Sequence, residues 1–267
     1  MMMNNESQQK EFTVGHGLGI FVLLLMAVVF VSVISYVVFG VHLTLILSEL
    51  VVLLVPLCFL STGGYSLRSF LTYRGKLNFS FWILTGVTSV FLVVVSNDIT
   101  GYIHQLMPRP QAQKETLLKI FVAKSWSEYF FRILGASSLA GFCEELAFRG
   151  FLQSIFSRRS GKIKGFLLTS FLFAFLHLDP WNFAGVFLLG LFFGYLVYLT
   201  NNLWVAILVH FFIDSIAFSM GFFLPQIWSD FEFTCPPYIT LICTILFIIS
   251  LNLIRKVYTE LQSQNVC

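Results

Sequence analysis

Charge is what this sequence most lacks. Only 11% of its 267 residues are Asp, Glu, Lys or Arg, while 57% are hydrophobic and the mean hydropathy is +0.85. A water-soluble domain carries about a quarter of its residues as charges, so a soluble globular fold is excluded. Strict alternation of apolar and polar residues is missing as well, which excludes an outer-membrane type of β-barrel. No long basic block occurs: the formal net charge is +3, and the Lys and Arg residues sit in short clusters between apolar runs. Clusters of that kind suit lipid headgroups, and they argue against a nucleic-acid partner. The five cysteines, Cys58, Cys143, Cys235, Cys243 and Cys267, are odd in number and widely spaced, with no CxxC and no Cys/His metal pattern. Three of them lie in apolar runs, where cysteine behaves as a small hydrophobe, so no disulfide framework is expected. HExxH is absent, which removes the signature of the soluble zinc proteases. Internal repeats are absent too.

What is present is a succession of apolar runs, each reaching or approaching the roughly 20 residues an α-helix needs to cross about 30 Å of hydrocarbon. The first, Leu18 to Phe39, is too long for a signal-peptide core and lacks a small-x-small cleavage site, so it reads as a retained span. Further spans are predicted at Leu43 to Leu60, Phe81 to Ile103, Tyr129 to Phe156, Gly165 to Leu178, Phe183 to Leu199, Leu203 to Leu224 and Tyr238 to Val257. The expected fold class is therefore all-α: a polytopic membrane protein of about eight transmembrane helices with a polar site inside the bundle. One transmembrane domain, 18–257, is flanked by tails at 1–17 and 258–267.

Short cytoplasmic loops collect Lys and Arg. Arg68, Arg74 and Lys76, then Arg158, Arg159, Lys162 and Lys164, then Arg255 and Lys256 all fall on one side, while the loop from Pro225 to Pro237 holds only Asp230 and Glu232. Both termini are thus expected in the cytoplasm, with the protein in the inner or plasma membrane. Gln105 to Glu128 departs from the pattern, since it should lie outside yet carries Arg109, Lys114, Lys119 and Lys124. In this segment Leu117, Leu118, Phe121 and Val122 repeat at helical spacing, which predicts an amphipathic helix on the membrane surface.

An ionisable side chain in hydrocarbon costs at least about 2.5 to 3.5 kcal/mol on insertion scales, so each one inside a span is a candidate for function. The fourth span carries Glu144, Glu145 and Arg149 in EELAFR, the fifth ends on His177 in FAFLH, and the seventh carries His210 and Asp214 in HFFID. Residues four apart share a helix face, whereas neighbours diverge by about 100°. Glu145 is therefore expected to pair with Arg149, and His210 to lie under Asp214, with Glu144 pointing toward a neighbouring helix or a cavity. Counting about 1.5 Å of rise per residue places Glu144 and His177 roughly 18 to 20 Å from the cytoplasmic helix ends, Asp214 roughly 16 Å and His210 roughly 10 Å. The four can meet in one layer, and a carboxylate, two imidazoles and a further oxygen are the parts that bind a divalent metal or polarise a water. His177 alone is more often a helix-end residue, and His210 with Asp214 is as readily a hydrogen-bonding pair between helices. Two adjacent carboxylates in a span have no packing purpose. Glu49, in the second span, and Asp98, near the predicted outer end of the third where water is close, receive no role.

The set resembles a known family. EELAFR matches EExxxR, Phe173 to His177 matches FxxxH, and His210 to Asp214 matches HxxxN/D of the CAAX protease and bacteriocin-processing intramembrane proteases (CPBP, or Abi), in the same order over roughly Phe130 to Gly221. The resemblance implies an all-helical endopeptidase with a core at about 129–224, acting on membrane-associated or lipid-modified peptides. Glu144 would activate water, and Glu145 and Arg149 would be the supporting acid and its partner. His177, His210 and Asp214 would form the rest of the site, with a divalent metal, zinc among the options, held by His177, His210, Glu144 and Asp214. The chain departs from many relatives in ending the last motif on Asp214 where they carry Asn. A transporter or proton relay, and a non-catalytic membrane scaffold, are the other readings. Paired discontinuous helices are missing for the first, and every motif residue is kept against the second.

Overall fold

In hydrocarbon a backbone can satisfy its polar groups internally only as a helix or a closed barrel, and every regular element among the described residues is helical. The computed structural model describes residues 12–62 and 77–264. The predicted inner cluster Arg68, Arg74 and Lys76 and most of the N-terminal tail lie outside them. The elements are α1 (Val14–Phe39), α2 (Val41–Thr62), α3 (Phe79–Leu106), α4 (Gln111–Phe121), a rod α5 over 126–160, α6 (Lys162–Leu176), α7 (Phe183–Thr200), α8 (Leu203–Phe223), α9 (Pro225–Ser229) and α10 (Pro237–Gln264).

Six of these, α1, α2, α3, α7, α8 and α10, are long and apolar enough to cross a membrane. The chain is an integral, multi-pass, all-α membrane protein. The other two predicted spans are helical but built differently. At 15 residues α6 reaches about 22 Å, short of a bilayer core. The rod runs without a break but is interrupted by two stretches of wider π-helix, Phe131–Ser137 and Leu146–Leu152. Insertions of this kind cluster at functional sites because they re-aim side chains.

Helix ends differ from the hydropathy reading where a cap intervenes. Expected to start at Leu18, α1 begins at Val14 because the Thr13 hydroxyl accepts the His16 N–H while His16 Nδ1 accepts the Thr13 N–H. Hydropathy does not register such a capping box.

In packing, α1 pairs with α2, α3 with α10, and α6 with α7, and the rod sits among them. Phe148, Leu152 and Phe156 of the rod are fully buried, and Phe173 and Phe193 close over them from α6 and α7. Lipid-facing helices instead expose Met26, Phe30 and Val37. The molecule has two distinct ends. At one, Arg159 Nε donates to the Phe12 carbonyl and the Tyr258 hydroxyl to the Thr200 carbonyl, which gathers the start of α1, the turn after the rod and the basic end of α10. At the other, His104 of α3 meets the Phe231 carbonyl, so the acidic 225–237 segment folds over α3.

Two further expectations are corrected. Asp98 is not near water: it is fully buried and accepts the Cys235 N–H at 2.9 Å and the Thr240 hydroxyl, tying α3 to α10. Burial, and then Asp98 beside it, push the Cys235 thiol above its usual range. The amphipathic α4 is present, but its apolar face turns partly to protein, with the Phe121 ring stacked on Trp228 at 4.3 Å. Arg132 of the rod holds the end of α4 by donating to the carbonyls of Lys119 and Ile120.

Candidate active site

The rod carries the acidic pair because its inner turns are wholly enclosed. Glu145 has no exposure at all, Arg149 2% and Glu144 8%. The expected ion pair is present: Arg149 Nη1 donates to Glu145 Oε1 at 2.9 Å, and its Nη2 donates to the Gly190 carbonyl of α7 at 3.1 Å. The guanidinium also lies over the Phe173 ring, 4.2 Å from its centroid. These contacts to a carboxylate, a carbonyl and a ring offset much of the cost of enclosing the cation.

The two glutamates converge instead of diverging. His210 Nδ1 donates to Glu145 Oε1 at 2.8 Å, while its Nε2 lies 3.8 Å from Glu144 Oε2 and 3.5 Å from Asp214 Oδ2. Since a carboxylate only accepts, the Glu145 contact places the proton of neutral His210 on Nδ1 and turns Nε2 to the other two acids. The ring is held flat against Phe193, centroids 4.8 Å apart. Gly141, one turn before Glu145, makes this approach possible: a Cβ there would stand 3.1 Å from the Ile207 carbonyl of α8, one turn before His210.

His177 takes a different position. It is the cap that follows α6, solvent-accessible in the isolated chain, with Nδ1 hydrogen-bonded to the Phe173 carbonyl at 2.9 Å. A carbonyl accepts, so Nδ1 bears the proton and Nε2 is free for another group. Leu178, the next residue, is left-handed at φ 50°, a conformation costing a branched side chain about 1 to 2 kcal/mol. A cavity of about 280 Å³ joins the two histidines: His177, His210 and Asp214 line it together with Phe173, and it extends to His104 and Arg109 at the acidic end.

One participant was missed in the sequence. Glu49 of α2 lies within electrostatic reach of Glu144, His210 and Asp214, and one of its carboxylate oxygens is buried without a hydrogen-bond partner. Only the packing of α2 on the rod brings it there, and no spacing rule links residue 49 to residue 144. One oxygen each of Glu144 and Glu145, and Arg149 Nε, are buried without partners too. As for a metal, no three His, Cys, Asp or Glu side chains among the described residues are grouped so as to hold one. In this arrangement His177, His210, Glu144 and Asp214 do not fit a shared ion.

Residues 125–216, which contain all three motifs, match the family model described as Rce1-like, type II CAAX prenyl endopeptidase Rce1-like. This stretch is similar to that family over about a third of the chain. No curated protein and no solved structure matches the chain. The family supports intramembrane endopeptidase activity in general, with a lipid bilayer and peptide substrates as its setting.

Proposed function

We propose that the protein hydrolyses peptide bonds of membrane-associated or lipid-modified peptides with Glu144 as general base. The observation that carries the reading is the arrangement around His210: Glu145 holds one ring nitrogen, the other faces Glu144 and Asp214, and His210 and Asp214 line the cavity. At 3.5 and 3.8 Å His210 Nε2 makes no direct hydrogen bond to either acid, and a water entering from the cavity can take up that capacity beside them. Such a water gives its proton to Glu144 and attacks the scissile carbonyl carbon. His177 and His210 orient it, an imidazole that has taken a second proton from solvent donates from Nε2 to the oxyanion, and Asp214 completes the site. Collapse of the tetrahedral intermediate breaks the C–N bond, and Glu144 returns the proton to the leaving amine. Arg149 acts through Glu145 by holding it in place.

The divalent ion implied by the family resemblance is a separate proposal, and no step is routed through it. His177 and His210 would need to close with Glu144 and Asp214 around it. Metal analysis of the purified protein, beside His177→Ala and His210→Ala, tests it: zinc lost in both variants supports the ion, and full activity in a metal-free preparation overturns it.

The function itself is tested by comparing peptide termini in membranes of cells lacking the protein and complemented with wild type or Glu144→Ala. Processed termini that depend on Glu144 are expected, and identical profiles would sink the reading. Cytoplasmic N- and C-termini are proposed from the basic clusters. Single cysteines in a Cys-free background should label at Arg159 and Lys256 from the cytoplasm and at Asp230 from the opposite face.

A further inference from the structure

Outside the three motifs, a further cluster of charged side chains is largely enclosed. Arg109, 6% exposed, stands between Pro108 and Pro110 in the connection from α3 to α4. Its Nη2 lies 2.7 and 2.8 Å from the two carboxylate oxygens of Asp179, and its Nε donates to His104 Nε2 at 3.1 Å. Asp179 is spent on its own turn as well, accepting the backbone N–H groups of Trp181 at 3.2 Å and Asn182 at 3.3 Å. Trp181 lies under the Arg109 guanidinium at 4.8 Å and donates from Nε1 to the Met107 carbonyl at 2.6 Å, while Asn182 accepts the Thr100 hydroxyl at 3.0 Å. The whole turn between α6 and α7 is therefore fastened to the 100–109 stretch.

That turn begins at His177. Between His177 and Asp179 lies Leu178, and a leucine stays left-handed only where its surroundings dictate the backbone. The fastening supplies that constraint, because Pro108 and Pro110 restrict the backbone on both sides of Arg109 and leave it little freedom to lose. None of residues 100–109 falls within the matched segment 125–216.

We propose that Arg109, through Asp179, is a positioning residue for His177: it fixes the turn that follows α6, so that the imidazole keeps its Nδ1 on the Phe173 carbonyl and presents Nε2 to the cavity. The inference rests on the reading of His177 as a residue of the active site. With Nη2 reaching both Asp179 oxygens and Nε reaching His104, the planar guanidinium holds two partners at a fixed angle, which a lysine cannot reproduce.

The test uses the full-length protein in detergent, with Arg109→Gln, Arg109→Lys, Asp179→Asn and the Arg109→Gln/Asp179→Asn double variant. Turnover of a prenylated CAAX peptide, the probe used, should fall about 10-fold to 100-fold in both Arg109→Gln and Asp179→Asn with KM within about two-fold, since misplacement of a catalytic group acts on kcat. The double variant should be no worse than either single one, and Arg109→Lys should fall between wild type and Arg109→Gln. Nitrogen NMR of histidine-labelled protein gives a readout free of substrate: the His177 signal should report Nδ1–H in wild type and shift toward Nε2–H in the variants. Should Arg109→Gln fail to fold, Arg109→Lys carries the same comparison. A folded variant with unchanged His177 signal and unchanged kcat, or losses that multiply in the double variant, would overturn the proposal. If Glu144→Gln keeps full proteolytic activity while the His177 signal still follows Arg109, the assigned chemistry fails and the fastening stands.

Discussion

Two arrangements in this molecule are made of the same three side-chain types, an arginine, a carboxylate and a histidine, yet they are wired in opposite order. In the rod the carboxylate is the hub: Glu145 receives Arg149 and His210 on one oxygen. At the acidic end the arginine is the hub: Arg109 donates to Asp179 and to His104. A carboxylate hub polarises the imidazole and leaves its far nitrogen to face Glu144, which suits chemistry. An arginine hub spends its donors on holding segments together, which suits placement. Exposure differs accordingly: the Glu145 and Arg149 side chains are fully enclosed, whereas 16% of the Asp179 side chain remains accessible.

The largest way to sharpen the comparison is Glu144→Gln, which removes the base but leaves both hubs intact. Activity should fall by at least about 100-fold while thermal unfolding in detergent matches wild type, and a folded, fully active variant would break the chemical half of the contrast. Next comes Arg149→Leu, which leaves Glu145 buried with His210 as its remaining partner. Breaking an enclosed pair costs about 3 to 5 kcal/mol, so this variant should unfold well before Glu144→Gln. Equal stability of the two would show that the rod does not depend on its ion pair.

Asp179→Asn should destabilise less than Arg149→Leu, by about 1 to 3 kcal/mol, because its site is partly open and the turn keeps its Trp181 contacts. A larger loss than for Arg149→Leu would reverse the roles assigned to the two hubs. Gly141→Ala is expected to have the smallest effect, about 1 to 2 kcal/mol of overpacking against the Ile207 carbonyl. Its informative readout is a weakened Glu145 to His210 contact, visible as a changed His210 signal. An unaltered signal would mean that α8 does not need the missing side chain.

Local spacing was enough to read the Glu145 to Arg149 pair and the placement of His210 beneath Asp214, because four residues make one helical turn. Convergence of Glu144 and Glu145 on one imidazole was not legible, since adjacent residues on a regular helix point about 100° apart. In this chain the rod changes to wider helical turns at Leu146, immediately after the pair. Glu49 and Arg109 were illegible for a further reason: their partners lie 95 and 70 positions away in the chain, and no periodicity reaches across separate helices.

By itself the sequence determined that the chain lives in a bilayer as a bundle of helices, since so little charge and so many apolar runs admit no other way of satisfying the backbone. It also singled out the intramembrane ionisable residues as candidates for chemistry, because such groups are costly in hydrocarbon. Tertiary structure decided how those residues meet: which nitrogen of His210 is occupied, that Glu49 joins the acids around it, and that a stretch before the Rce1-like segment holds the turn after His177. These are contacts between helices, set by close packing and by the absence of a side chain at Gly141, and neither is encoded in the local period of one helix.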